Sequence, residues 1–520
     1  MVRALGSTWR LPLAALGVLI GACDGEPPCG PSAGGPYWLE EGQAFAATVV
    51  CDSGAPVPAG STLAAIPPGR PTDREPIPAG LSFDPATGAM AWTPGLDQAA
   101  VYDLEVTLPG PDGVETTTLV IGVADAFDDP ANVPVRDPGR YREEFGLPVV
   151  FLDPGPQDPE VYAPTTIVYR GRLVQAEAKK RGASSLSYPK NSYTLKFPDD
   201  DRLDEAAFPA RKKLVLTSTF DDNSYLRQRL AFATWNQMSA THLPIGVDHA
   251  VVYADGVYLG LYLVSDHVDD DLMVDHGLAA TGNLYKAYNH DANFRRDNND
   301  GDGKATLADG YEKKAGLPDP GQPGAFADLE DLVAWVADAD TAGFRAEVDT
   351  RLERADFADW WVLVTLIAGD DSAGKNAYLY HDAAGGGRWR YLPWDFNHSF
   401  GQTWETQRQA ADAQGSYRQR NQIFVHLLDD PGYRQELRDR IAALLAGPLA
   451  ASTVQAQVDA WWATIEPSAR RDWRAWAGAY RTFPRWASRT DLTDVDGELA
   501  YLRAWIDARW AHAAVSFPDD

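Results

Sequence analysis

The chain has 520 residues, too long for one ordinary domain and suited to two or three. Hydrophobic residues make up 45% and charged residues 23%, with 17 Trp, so the chain is globular and can build a large core. The formal charge of −28 excludes nucleic acid as a partner, because no basic footprint offsets it; the acidity reads as solubility.

Arg3 and Arg10 flank the start of a short apolar run, Leu11 to Ile20, followed by Gly21-Ala22-Cys23. A charged n-region, a short h-region and small residues predict an export signal over residues 1–22, and the run is too short to span a membrane as a helix. "IGAC" resembles the bacterial lipobox, which implies cleavage before Cys23 and its lipidation; the alternative is plain cleavage after Ala22. The expected address is an exported bacterial lipoprotein in the cell envelope or on the cell surface, held to the membrane by its lipid anchor. With Cys23 lipidated, Cys29 and Cys51 remain as an even pair in an oxidising compartment and are expected to form a disulfide.

Residues 23–36 are rich in Pro and Gly and read as a tether. Over 37–126, short β-like runs ("FAATVV", "AMAWTP", "VYDLEVTL", "TTTLVIGVA") alternate with turn signals, which predicts an all-β immunoglobulin-like sandwich. "IPAGLSFDPATGAMAWTPG" resembles the signature of cadherin-like Ig domains on bacterial surfaces, with Trp92 in place of the usual Gly; that family implies spacing or adhesion. Residues 127–139 read as a Pro/Asp-rich linker. Residues 140–520 read as one mixed domain. Strand-like runs fall at 148–152, 165–170, 192–197, 213–218, 249–254 and 258–265. Helices are expected at 225–238, 326–338 and 343–370, with several Trp-rich ones from 431 to 516. Strands first and helices later predict an α+β, two-lobed body with a helical C-terminal part.

The loop "DDSAGKN", Asp370 to Asn376, follows a buried helix and precedes two strands, and Asp395 ends the second strand. Asp371 and Asn376 are five apart, and Asp395 follows 24 after Asp371. A protein-kinase catalytic loop uses the same Asp-to-Asn interval, followed across a short hairpin by a metal-binding Asp. Phosphoryl transfer needs this set: a hard cation such as Mg²⁺ takes carboxylate and amide oxygens, and another carboxylate orients the attacking hydroxyl.

Four stretches taken in order, "RGASSLSYPKNSYTLKF" (181–197), "KKLVLTSTFDDNSYLRQRLAF" (212–232), "VYADGVYLGLYLVSDHV" (252–268) and "DSAGKNAYLYHD…RWRYLPWDFNHSFG" (371–401), resemble the CotH family of spore-coat-type atypical protein kinases. The resemblance implies a two-lobed kinase-like fold, ATP, Mg²⁺ or Mn²⁺, and transfer to serine of a secreted or surface protein. It implies Asp371 as the catalytic acid, and Asp395 and Asn376 as metal ligands. For the nucleotide phosphates it points to Lys196, with Lys190 as second choice, and to Arg181 with Ser184 and Ser185 in the same turn. Lys375 is a secondary candidate, Asp370 a supporting acid, and Arg227 either a phosphate contact or a structural ion pair. Asp266 stands where the family often has Glu. Asn397 stands where many members carry a second Asp, keeping an oxygen and losing a charge.

"DNNDGDGKATLAD" matches the spacing of an EF-hand loop, with Asn298, Asp300, Asp302, the Lys304 carbonyl, Thr306 and Asp309 as the oxygen set for Ca²⁺. His267, His290 and His398 lack zinc-ligand spacing with any Cys. The pairs Trp360-Trp361 and Trp461-Trp462 are expected in packing. No nucleophile elbow or P-loop is present. The expected function is an exported, metal-dependent protein serine kinase. The alternatives are an inactive surface adhesin of the same fold, and a hydrolase using Asp371 and Asp395.

Overall fold

The structure, a computed structural model, describes residues 31–32, 34–67, 71–96, 98–110, 113–124, 139, 141–413 and 417–518. The export signal, Cys23, Cys29 and nearly all of the linker therefore lie outside the described residues. Cys51 is disulfide-bonded. The N-terminal unit is a sandwich. One sheet runs Tyr37–Glu40, Gly113–Ala124, Ala100–Gly110, Thr62–Ile66, and the facing sheet Phe45–Thr48, Ala89–Trp92, Ser82–Phe83. Leu39, Leu104, Val106, Leu119 and Ile121 meet Met90 and Trp92 in its core, as alternating strands require.

The larger unit begins with a barrel. Its strands are β1 (Leu147–Asp153), β2 (Ala163–Tyr169), β3 (Arg172–Arg181), β4 (Ser192–Lys196), β5 (Lys213–Thr217), β6 (Val247–Ala254) and β7 (Val257–Asp266). They pair in the order β1-β2-β3-β4-β5-β7-β6, and β6 returns to β1 in parallel, so the sheet closes on itself. Closure removes the free edges, and period-two alternation sorts the side chains. Val150, Ile167, Val174, Leu195, Leu216, Val252 and Val264 fill the interior. The polar strand β3 gave no apolar run in the sequence, because its outward residues are Gln175, Glu177, Lys179 and Arg181, set against only Val174, Ala176 and Ala178 inward.

A second, antiparallel sheet contains β8 (Asn283–Ala287), β9 (Tyr311–Ala315), β10 (Ala377–His381) and β11 (Arg390–Pro393) in the order β9-β8-β10-β11. Its Leu284, Tyr378, Tyr380 and Leu392 face the outside of the barrel at Val215, together with Phe232 of helix α1 (Arg227–Met238). Its opposite face, Tyr285, Leu379 and Tyr391, joins the helical core. That core holds α2 (Ala327–Asp338), α3 (Thr341–Arg351), α4 (Arg354–Leu366), α5 (Gln422–Asp429), α6 (Pro431–Ala446), α7 (Ala451–Thr482) and α8 (Val495–Ser516). The helix expected over 343–370 is two helices, divided where Leu352 turns extended and buries its side chain. Trp360 and Trp361 are fully buried, as expected. Among the described residues no single helix is long and apolar enough to cross a membrane.

Candidate active site

The hairpin register brings the separated acids together. Ala377 pairs with Pro393, so Asn376 and Asp395 both sit just past the same end of β10 and β11. The Ser372 hydroxyl donates to the Asp395 carbonyl at 3.2 Å, and the Trp360 indole holds the Ser372 carbonyl at 2.9 Å. Asn376 and Asp395 both adopt left-handed backbone conformations, with φ of +53° and +59°. Such conformations cost a non-glycine residue about 1 kcal/mol and persist where surrounding structure imposes them.

The two acids of "DDSAGKN" have different partners. Asp370 receives a two-pronged contact from Arg420, at 2.9 and 2.8 Å, which pins the loop to the segment before α5. Asp371 accepts from the Asn376 amide at 3.0 Å and from the Lys375 ammonium at 2.9 Å, with His290 at 3.8 Å. The Asn376 amide nitrogen is therefore committed to Asp371, and no hydrogen bond among the described residues engages its Oδ1. Asp395 is exposed, and its carboxylate has no hydrogen-bond or ion-pair partner among the described residues.

Asp221, His398 and Tyr188 complete the group and were missed in the sequence. Asp221 lies in the turn between β5 and α1. It accepts from His398 Nε2 at 2.9 Å, Asn397 Nδ2 at 2.7 Å and the Tyr188 hydroxyl at 3.1 Å. Burial opposes its charge, yet the hydrogen bond and charge of His398 hold it below the usual carboxylate range. Burial also opposes a charged His398, but Asp221 first, then Asp395 and Asp371, hold its imidazolium above the ordinary range. Asp371 and Asp395 thus both act electrically on one ring. Asn397 Oδ1 is buried without a partner. The only signal available in the sequence was an acid-rich strand-to-helix connection. A cavity of about 530 Å³ opens beside Asp371 and His398 and is walled by Gln402, Trp404 and Gln407.

The basic candidates separate. The Arg181 guanidinium lies 5.3 Å from the Trp394 ring, next to Asp395 in the chain, and its buried Nη1 has no partner. Gly182 beside it adopts φ +129°, a backbone conformation that strains any side chain, and a Cβ there would also meet the Ser185 hydroxyl. Ser184 and Ser185 form the following turn, which is capped by its own carbonyls and leads to Tyr188. Lys190 corrects the expectation. It is buried, donates to the Leu261 carbonyl at 2.7 Å and pairs with Asp472 of α7, so it acts inside the fold. Lys196 stands apart from Arg181. It pairs with Glu177 at 2.6 Å, four residues along β3 from Arg181, about 13 Å at the rise of a strand. Arg227 is a structural ion pair, held by Asp222 at 2.6 Å and Glu498 at 2.5 Å, and Asp266 is taken by Arg211 at 2.6 Å.

Lys286 was not anticipated. It sits on the barrel-facing side of β8, in register with Tyr378, and has no hydrogen-bond or ion-pair partner among the described residues. Burial and then the nearby Arg181 guanidinium pull it below the ordinary lysine range, with Asp395 and Glu312 acting against them.

The EF-hand reading does not match the arrangement. The Asn298 side chain caps its own turn at the backbone N–H groups of Asp300 and Asp302, at 3.0 and 2.9 Å. Asp309 caps Ala305 and Thr306 at 2.8 and 3.2 Å, and the Lys304 ammonium reaches Asn293 at 3.0 Å. Strands β8 and β9 flank the loop instead of helices. Among the described residues the only acidic trio with converging oxygens is Asp269, Asp270 and Asp271. The loop's polar side chains satisfy its own backbone, which a short turn between strands leaves exposed.

Residues 178–512 match the family described as CotH kinase protein, and residues 35–124 match the one described as Putative Ig domain. The inner spore coat protein H of Bacillus subtilis (strain 168) is 22% identical over 308 residues, covering 58% of this chain and 80% of that protein. Among solved structures, the N-terminal four Ig domains of Dscam1 isoform 9.44 match at 10% identity and a TM-score of 0.16, covering 34% of this chain and 43% of that one. The titin I-band fragment I67-I69 matches at 12% identity and a TM-score of 0.14, covering 33% and 60%. Neither score bears on the fold. The family match runs from the end of β3 through β4 to β7, the second sheet and the helices that position Asp371 and Asp395, more than half of the chain, and on that ground the chain belongs to the CotH kinase protein family.

Proposed function

We propose that this protein is a metal-dependent protein kinase that transfers the ATP γ-phosphoryl group to serine of a surface or secreted protein. The observation that carries the reading is the pairing of a positioned carboxylate, Asp371, with a partnerless one, Asp395, at one hairpin end. Asp371 would accept the proton of the acceptor hydroxyl, which enters through the cavity beside it. Lys375 and Asn376 fix its orientation. The partnerless Asp395 carboxylate, the uncommitted Oδ1 of Asn376 and the orphaned Oδ1 of Asn397 form a hard-oxygen donor set suited to Mg²⁺ or Mn²⁺. Bound there, the cation supplies neutralisation of phosphate charge. The barrel and the helix-backed second sheet serve as the two lobes. Export and lipidation at Cys23 belong to the same reading, and the disulfide at Cys51 supports an oxidising compartment.

The test is transfer of label from γ-labelled ATP to a serine-containing acceptor by the full chain with Mn²⁺. Asp371→Asn is expected to lower transfer by about 10²–10⁴-fold while keeping nucleotide binding. Asp395→Ala is expected to abolish transfer and weaken metal-dependent binding. Equal label in wild type and Asp395→Ala, or none in either, would sink the kinase reading and leave a binding role for the same fold.

A further inference from the structure

Lys286 and Arg181 reach the same place from opposite sides. Arg181 ends β3 on the outer face of the barrel, where it pairs in register with Ser192. Lys286 stands on the second sheet, on the face that carries Leu284, Tyr378 and Leu392 toward that barrel. Tyr378 and Trp394 join the two: their rings meet edge-on at 5.6 Å, Lys286 is the cross-strand neighbour of Tyr378, and Arg181 covers Trp394.

Nearby lysines on this side of the barrel are engaged: Lys179 lies over the Tyr162 ring at 5.0 Å, and two others have carboxylates. Lys196 has Glu177, and Lys213 has Asp269 at 2.8 Å. Glu312, the neighbour of Lys286 on β9, is taken by Lys314 at 2.7 Å. Arg181 and Lys286 are left facing each other with a buried guanidinium N–H unsatisfied. Two like charges at close quarters repel, and an orphaned buried donor costs about 1–3 kcal/mol. A sequence that needed only packing would place an apolar residue at 286, as it does at 284.

The third member is Asp395, partnerless among the described residues and next in the chain to Trp394, whose ring Arg181 covers. Two free cations beside one free carboxylate suit a ligand that carries both signs. A divalent metal chelated by a polyphosphate has that pattern, with oxygens for the guanidinium and ammonium and a cation for the carboxylate.

We propose that Lys286 and Arg181 form a clamp for a metal-bound polyphosphate chain, with Lys286 supplied by the second sheet in the role sought on β4. The clamp rests on the kinase reading for its biological ligand, and its existence can be tested apart from transfer.

Inorganic tripolyphosphate with Mn²⁺ is titrated calorimetrically into the full chain. Wild type is expected to bind, Lys286→Gln and Arg181→Ala each at least about tenfold more weakly, with Lys286→Arg near wild type. Lys196→Ala, whose side chain pairs with Glu177, serves as the control and keeps wild-type affinity. Circular dichroism confirms folding, and Lys286→Arg separates loss of charge from loss of fold. Unchanged affinity in Lys286→Gln, or no tripolyphosphate binding by wild type, overturns the clamp. If tripolyphosphate binding depends on Lys286 while γ-labelled ATP gives no transfer, the clamp stands and the kinase reading falls. If transfer proceeds and Lys286→Gln binds as wild type does, the reverse holds.

Discussion

Lys190 is a buried ammonium whose neighbours are Asp472, the Leu261 carbonyl and the Tyr262 ring. Asp472 also accepts from the Tyr225 hydroxyl at 3.0 Å and the Leu261 amide at 2.7 Å. Lys190→Met strips this group of its only cation and is expected to cost about 3–5 kcal/mol, because a buried carboxylate is left without its counter-charge. Lys196→Ala removes a pair that is more than a third exposed on both sides and is expected to cost under about 1 kcal/mol. Urea denaturation of the two variants checks the contrast, and equal midpoints would contradict it. Both lysines lie in one quoted motif, and their spacing in the chain could not separate them. The partner that decides the role of Lys190 is 282 residues away.

Helix α4 shows the same logic at the level of an element. It ends just before the Asp371 loop, and Asp359 anchors it. Asp359 accepts from Arg440 of α6 at 2.9 and 2.7 Å, and His242 Nε2 lies 3.1 Å from it. Burial pushes its carboxyl up, but His242 and Arg440 beside it outweigh this and hold it below the usual range. A lowered folded-state value stabilises the protein above the unfolded carboxylate value of about 4 and loses that contribution as pH falls through the lowered one. Asp359→Asn is therefore expected to cost roughly 2 kcal/mol at pH 7, discounted because Arg440 is a third exposed, and less near pH 3.5. Denaturation midpoints at the two pH values measure this, and a gap that widens in acid would refute it. The buried helix itself was legible, since "FADWWVLVTLI" is apolar almost throughout. Its start was not, because the break before it depends on Leu352 meeting the core. Strands β8 and β9 were missed because Lys286, Glu312, Lys313 and Lys314 interrupt their alternation.

Across the whole molecule, the sandwich is docked on the larger unit. Trp38 meets Phe145 edge-on at 6.1 Å, Glu40 pairs with Arg474 of α7, and Ala99 joins the large core. Phe145→Ala is expected to uncouple the two units by about 1–2 kcal/mol, from the lost aromatic pair and its buried area. Calorimetric melting should then show a separate sandwich transition; a single unchanged transition would show that the contact carries no coupling. The sequence by itself determined the domain order, the sandwich, the α+β class of the larger unit and the loop and hairpin that carry Asp371, Asn376 and Asp395. Those features rest on local periodicity, turn chemistry and short spacings, which a linear reading preserves. Only the tertiary structure closed the barrel, sent Lys190 into an internal pair, turned the acidic loop upon its own backbone and set Lys286 opposite Arg181. Each of these depends on contacts between residues far apart in the chain, and the free energy of a charged side chain is decided by which partner the fold brings to it.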